Sequence, residues 1–251
     1  MLDSLRQRLR QLTVLLAVAG MIIFNVYVRE LPFYSATRQK ISPQLATQLI
    51  PATYTALIWY AIFTGLIAYA TYQLLPRQTR NALHNRLAFW LVLACVAQVV
   101  WIYLWDLAIY QWALCALFVL LEAVIVMYRR LEIGRIRVRR NETLFVRLPI
   151  SLFLGWLTIT TLVYSTTFLT LIGWDYLNIS PELWAIIAIG LTAILAGIVA
   201  QRHHDFIYAA AVIWGFSGIA VANPTSLPIS LTVIVLSIAM LLAILASPTA
   251  R

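Results

Sequence analysis

Four tryptophans, Trp59, Trp101, Trp156 and Trp214, stand inside long apolar runs; at about 1.5 Å per residue Trp59, Trp156 and Trp214 lie about 12–15 Å from the nearer end of the run and Trp101 about 6 Å. Tryptophans that anchor a protein at a membrane surface stand at the ends of such runs, as Trp90, Trp105, Trp112, Trp174 and Trp184 do. The deep ones need another role. At helical spacing Gln98 shares a stripe with Trp90, Ala94, Trp101 and Trp105, and Trp156 shares one with Thr160, Tyr164 and Thr167. Indole faces beside amide and hydroxyl groups suit a flat, largely apolar ligand, because stacking covers its faces while the polar groups fix its edge. Plain packing of helix on helix accounts for the same residues, with Gln98 as an interhelical hydrogen bond.

Glu122 is the second candidate. It is the one carboxylate well inside an apolar run, and at helical spacing it shares a stripe with Trp112, Cys115 and Val119. Ionisable groups at membrane depth are costly and usually face a bundle interior or water. Three readings stand: a hydrogen-bond donor in the aromatic cavity, the proton-titrating group of a proton-coupled transporter or exporter, or a structural carboxyl satisfied by its neighbours. Other chemistry finds little support. The sequence has no phosphate-binding glycine loop, no HExxH and no acidic pair at helical spacing within one run. His84, His203 and His204 are assigned to loops, which leaves no intramembrane histidine to ligate haem, and His203, His204 and Asp205 read as a tight turn with no metal. Cys95 and Cys115 fall at different depths on adjacent runs, so packing is expected of them rather than a disulfide. No residue set identifies a general acid, a base or a nucleophile.

The elements that must carry these residues follow from composition. Of 251 residues, 63% are hydrophobic and only 11% charged, with a mean hydropathy of +0.88. Soluble domains are not built this way. The apolar runs cover residues 12–28, 51–75, 87–105, 109–128, 146–172, 181–201, 206–222 and 228–246, and each approaches the ~20 residues that cross a bilayer. In lipid every backbone N–H and C=O needs an internal partner, and the runs lack the period of two that barrel strands require, so they are predicted helices. Pro51, Pro181 and Pro228 stand at helix starts, where a missing N–H costs little. The expected fold is all-α: a polytopic membrane helical bundle of about eight transmembrane helices.

Orientation follows from charge. Every Lys and Arg except Arg29, Arg38 and Lys40 falls in the N-terminal tail, in alternate loops or, like Arg147, at their edge, or at the C-terminus. The positive-inside rule therefore places both termini in the cytoplasm. The same bias explains the net charge of +9 without nucleic acid. The arginine run from Arg129 to Arg140 instead fits topology and contact with anionic membrane lipids. The first run exceeds a usual signal-peptide core and no small-residue cleavage site adjoins it, so it is kept as a helix.

Certain residues also carry a resemblance. Pro51 precedes Trp59 by eight positions and Phe63 follows; Gln98, Trp101 and Trp105 form a second set; Phe153, Trp156 and Thr160 form a third. In these the chain resembles the TspO/MBR family, the tryptophan-rich sensory proteins related to the peripheral benzodiazepine receptor, and particularly its longer cyanobacterial-type members. Gln98 and Tyr164 stand where the family has Asn, Pro149 is displaced from the third motif, and Ala56, Leu57 and Ile58 replace a Phe-Gly-Pro segment. The resemblance covers about residues 12–172, which divides the chain into a five-helix membrane domain, 1–175, and three additional transmembrane helices, 176–251. It implies a receptor- or sensor-like protein of a bacterial plasma membrane, or of a thylakoid membrane if cyanobacterial. It implies a pocket lined by Trp59, Phe63, Gln98, Trp101, Trp156, Thr160 and Tyr164, beneath a first outer loop, 29–50, acting as a lid. The implied ligands are porphyrin-like tetrapyrroles or sterol-like lipids, bound without a covalent cofactor, with photo-oxidative breakdown of a tetrapyrrole among the family's proposed roles. Small residues on the sixth and seventh runs (Ala193, Gly197, Ala211, Gly215 and Gly218) suit packing within the chain, or a structural role as a homodimer or subunit of a membrane complex.

Overall fold

The computed structural model describes residues 2–30, 48–79, 81–174 and 176–246. Its elements are all helical, with no strand among the described residues: α1 (Leu2–Glu30), a 3-10 segment (Thr53–Leu57) running into α2 (Ile58–Tyr72), α3 (Ala82–Asp106), α4 (Tyr110–Arg130), α5 (Leu148–Leu171), α6 (Pro181–His203), α7 (Phe206–Ala222) and α8 (Leu227–Ala246). Among the described residues, seven helical stretches are long and apolar enough to cross a membrane. The eighth, α7, is equally apolar but has 17 residues, near the lower limit for a span. The chain is a polytopic helical membrane protein.

Contacts divide it into two compact units. The first comprises Met1–Ile41, Tyr60–Glu132 and Val138–Ile150; the second comprises Ser42–Trp59, Ile133–Arg137 and Ser151–Arg251. The first outer loop, expected to act as a lid, lies almost wholly outside the described residues.

In the first unit α3 packs against both α1 and α4. On α1 the buried residues Gln11, Val14, Val18, Met21 and Asn25 recur every three or four positions, so one stripe faces the protein while Leu12, Leu16 and Ile23 face outward. The start of α3 is set by Asn81, whose side chain accepts a hydrogen bond from Leu83 N–H at 3.0 Å. This start lies five residues ahead of the expected one, and it corrects the assignment of His84 to a loop: His84 lies in the first turn of α3 and is fully buried. The approach to α5 differs in the same sense. A helical turn at Arg140–Glu142 and a π-helical segment at Thr143–Arg147 precede it. Pro149 has no N–H for the Phe145 carbonyl and its ring crowds that group, a conflict that a wider π turn accommodates. Arg147, expected in a loop, is buried in that segment with Nε 3.7 Å from the Glu142 carboxylate.

In the second unit α6, α7 and α8 pack against one another. Ser180 caps α6 by accepting from Leu183 N–H at 3.2 Å, and Pro181 occupies the first helical turn. His204, at φ 47°, ends that helix in the left-handed conformation. Asp205 then caps α7, accepting from the N–H groups of Ile207 and Tyr208 at 3.1 and 3.0 Å and from the Ser151 hydroxyl at 2.6 Å. The His203-His204-Asp205 turn is thus a junction between two helices. α5 and α7 approach closely because their facing residues are small: a Cβ on Gly155 would lie 2.5 Å from the Tyr208 carbonyl oxygen, and one on Gly215 would lie 2.6 Å from Ile159 Cγ1.

Candidate functional site

Three aromatic side chains of the second unit meet edge to face. The Trp59 ring lies 6.0 Å from Phe153 at 67° and 6.4 Å from Trp156 at 85°. Both are geometries that aromatic quadrupoles favour. Phe153 and Trp156 share a face of α5 at helical spacing and are buried. Thr160, one turn further, donates its hydroxyl to the Trp156 carbonyl at 2.9 Å, and Tyr164 follows half-buried on the same stripe. The indole N–H of Trp156 is buried without a hydrogen-bond partner among the described residues. The stripe from Phe153 to Thr167 offers aromatic surface, hydroxyls and one unspent N–H, with no charged group at its positions 153, 156, 160, 164 and 167. Such a lining can stack on and hydrogen-bond to a flat apolar molecule.

The segment leading to Trp59 is pinned to α7. Gly218 lets the chain pass against that helix: a Cβ there would meet Thr55 Cγ2 at 2.1 Å and Pro51 Cβ at 2.9 Å. Ala52 N–H donates to the Gly218 carbonyl at 2.9 Å, and the Trp214 indole N–H donates to the Thr55 carbonyl at 3.0 Å. Tyr54 stacks edge-on against Trp214 at 5.2 Å, and its hydroxyl shares a hydrogen bond with Ser217 at 3.0 Å. The deep position of Trp214 therefore serves this anchor. Nothing in the sequence pairs Thr55 with Gly218, although a glycine within an apolar helix is a signal for close packing. Ala211, Gly215 and Gly218 are buried, whereas a Cβ on Gly197 would meet nothing within 4 Å.

The remaining candidates belong to the first unit. Gln98, fully buried, exchanges two hydrogen bonds with Asn25 of α1: Asn25 Nδ2 donates to Gln98 Oε1 at 2.9 Å, and Gln98 Nε2 donates to Asn25 Oδ1 at 3.0 Å. Asn25 also donates to the Met21 carbonyl at 2.8 Å. This is the interhelical hydrogen bond that the sequence offered as one of two roles for Gln98. Asn25, a lone amide in an apolar helix, is itself a sequence signal for such a partner. Trp101 and Phe63 are buried. Glu122 is exposed on the outward face of α4, as are Trp112, Cys115 and Val119 of its stripe. Thus Trp59 and Trp156 are brought together in one unit, with Thr160 and Tyr164 on the same helical face, while Phe63, Gln98 and Trp101 belong to the other.

Comparison with known proteins adds one finding. No curated protein and no solved structure matches the chain. A family model described as TSPO-like protein matches residues 11–246, a range that includes the last three helices. With nearly its whole length matched, the chain belongs to the TSPO-like family.

Proposed function

We propose that this membrane protein is a receptor- or sensor-type member of its family that binds a planar, largely apolar ligand, a porphyrin-like tetrapyrrole or a sterol-like lipid, without covalent attachment. The observation that carries the reading is the edge-to-face cluster of Trp59, Phe153 and Trp156, with the Trp156 N–H left for a ligand acceptor. An indole face covers an apolar ring at small entropic cost, and a buried donor without a partner gains most from one. Thr160 and Tyr164 supply further hydroxyls on the same face of α5. A porphyrin held by stacking needs no histidine ligand, and none stands on the α5 stripe.

The test is titration of the purified full chain with protoporphyrin, followed by the shift of the pigment's main absorbance band, with a sterol added in competition. Each aromatic contact contributes about 0.5–1.5 kcal/mol beyond its area. The Trp59→Ala/Trp156→Ala double variant should therefore bind roughly tenfold or more weakly. Equal affinity in wild type and double variant would sink the assignment. Displacement by the sterol would choose the second ligand class over the first.

A further inference from the structure

The end of the first unit that the arginine distribution assigns to the cytoplasm holds a polar cluster that the aromatic site does not use. It is built from the N-terminal part of α1, the C-terminal end of α2, the turn that follows and the first turn of α3. Tyr69 and His84 are fully buried and share a hydrogen bond of 3.3 Å between hydroxyl and Nδ1. His84 Nε2 lies 3.2 Å from Gln78 Oε1, and Gln78 in turn donates to the Tyr72 hydroxyl at 2.8 Å. Gln11, also buried, donates to the Gln73 carbonyl at 2.5 Å. Arg10 donates to Asn85 Oδ1 and to the Thr79 carbonyl.

Two groups in this network are left over. The side chain of Gln73 is fully buried, yet neither its amide oxygen nor its amide nitrogen has a partner. Arg10 Nε is likewise buried without one. Among the described residues no carboxylate forms an ion pair with Arg10. A buried amide and a partly buried guanidinium are both expensive to leave unsatisfied, and the deficit here is a positive charge and N–H donors together with one amide acceptor.

We propose that this cluster is a binding site for an oxyanion of the phosphate class, carrying hydroxyl groups next to the phosphate, as in the glycerol headgroup of an anionic phospholipid. The Arg10 guanidinium supplies the charge and one donor, Gln73 Nε2 donates to a phosphate oxygen, and Gln73 Oε1 accepts from an adjacent hydroxyl. The location matches the chemistry, since the cluster stands at the end of the helices that the arginine distribution assigns to the cytoplasmic leaflet, where phosphate headgroups lie and basic clefts between helices take them up.

The experiment uses the full chain in neutral detergent, with thermal unfolding and native mass spectrometry as readouts. The additions are phosphatidylglycerol, phosphatidylcholine, or inorganic phosphate against chloride at equal ionic strength. Phosphatidylglycerol should raise the melting temperature and remain bound at a stoichiometry of about one. A matching rise with inorganic phosphate assigns the site to the free anion, and a rise with the lipid alone assigns it to the headgroup; either supports the site. Arg10→Gln and Gln73→Leu should each weaken retention by about tenfold, the worth of one charge-assisted hydrogen bond. Gln73→Leu is expected to leave the lipid-free protein as stable or more so, because it removes a buried unpaired amide, which separates loss of binding from loss of fold. Arg6 and Arg8 are exposed on the same helix, and Arg6→Gln and Arg8→Gln should retain the lipid as wild type does. Equal losses at Arg6, Arg8 and Arg10, or no response to any anion, would overturn the proposal.

Discussion

Gly218→Ala tests the anchor that positions Trp59, and its cost can be worked from the geometry. The added methyl would lie 2.1 Å from Thr55 Cγ2 and 2.9 Å from Pro51 Cβ, both well inside the 3.4 Å at which ordinary contact begins. Thr55 has little freedom to turn aside, because its hydroxyl donates to the Ala52 carbonyl at 2.7 Å and its carbonyl accepts from Trp214. Pro51 is a rigid ring. Relief must come from moving the 3-10 segment off α7, which stretches the bond from Ala52 N–H to the Gly218 carbonyl. Overpacking of this kind costs about 1–3 kcal/mol. The expected result is a loss in that range, measured by unfolding in mixed detergent micelles with circular dichroism. Thr55→Ser removes the offending methyl and keeps the hydroxyl, so in the Gly218→Ala background it should recover part of the loss, the Pro51 contact remaining. The two changes should not add. If Gly218→Ala is as stable as wild type, or if Thr55→Ser has the same effect in both backgrounds, the close approach does not exist.

Two other sets of substitutions check the remaining contacts. Asn25→Leu and Gln98→Leu should each cost about 1–2 kcal/mol, because each orphans a buried amide group, while the double variant should lose less than the sum by about 0.6–1.7 kcal/mol; strictly additive losses in the same unfolding assay would mean that the two amides are not paired. Asp205→Ala removes the cap of α7 and the partner of the Ser151 hydroxyl together and should cost about 2 kcal/mol. Asp205→Asn, which keeps an acceptor for the cap, should cost less, and equal damage from both would argue against the capping role.

The sequence by itself determined the solvent of this protein and therefore most of its fold. Backbone groups in lipid have no alternative to helix, so eight apolar runs near bilayer length predict helices at 51–75, 181–201 and 206–222 before any tertiary contact is known, and the last coincides with α7. The tryptophans Trp59 and Trp156 were equally legible as candidates, because a tryptophan far from a membrane boundary lacks the usual interfacial reason to be there. Helix ends were less so. Asn81 and the Thr143–Arg147 π turn extend helices through polar sequence, where hydropathy falls silent and capping and proline geometry decide instead.

Which face of each helix turns inward was decided only by packing. Glu122 and Gln98 look alike in sequence, each a polar residue in an apolar run, yet Gln98 meets Asn25 and is fully buried while Glu122 is exposed. Periodicity fixes only which residues share a face, as in the stripe through Glu122, and carries no information about its direction. In lipid this ambiguity is sharper than in water, since the outward face of a helix is as apolar as its inward one and hydrophobicity cannot choose between them. The choice falls to close contacts and to paired polar groups: Gly155 against Tyr208, Gly218 against Thr55, Asn25 with Gln98. Those pairings join residues far apart in the chain, and only the tertiary structure brings them together.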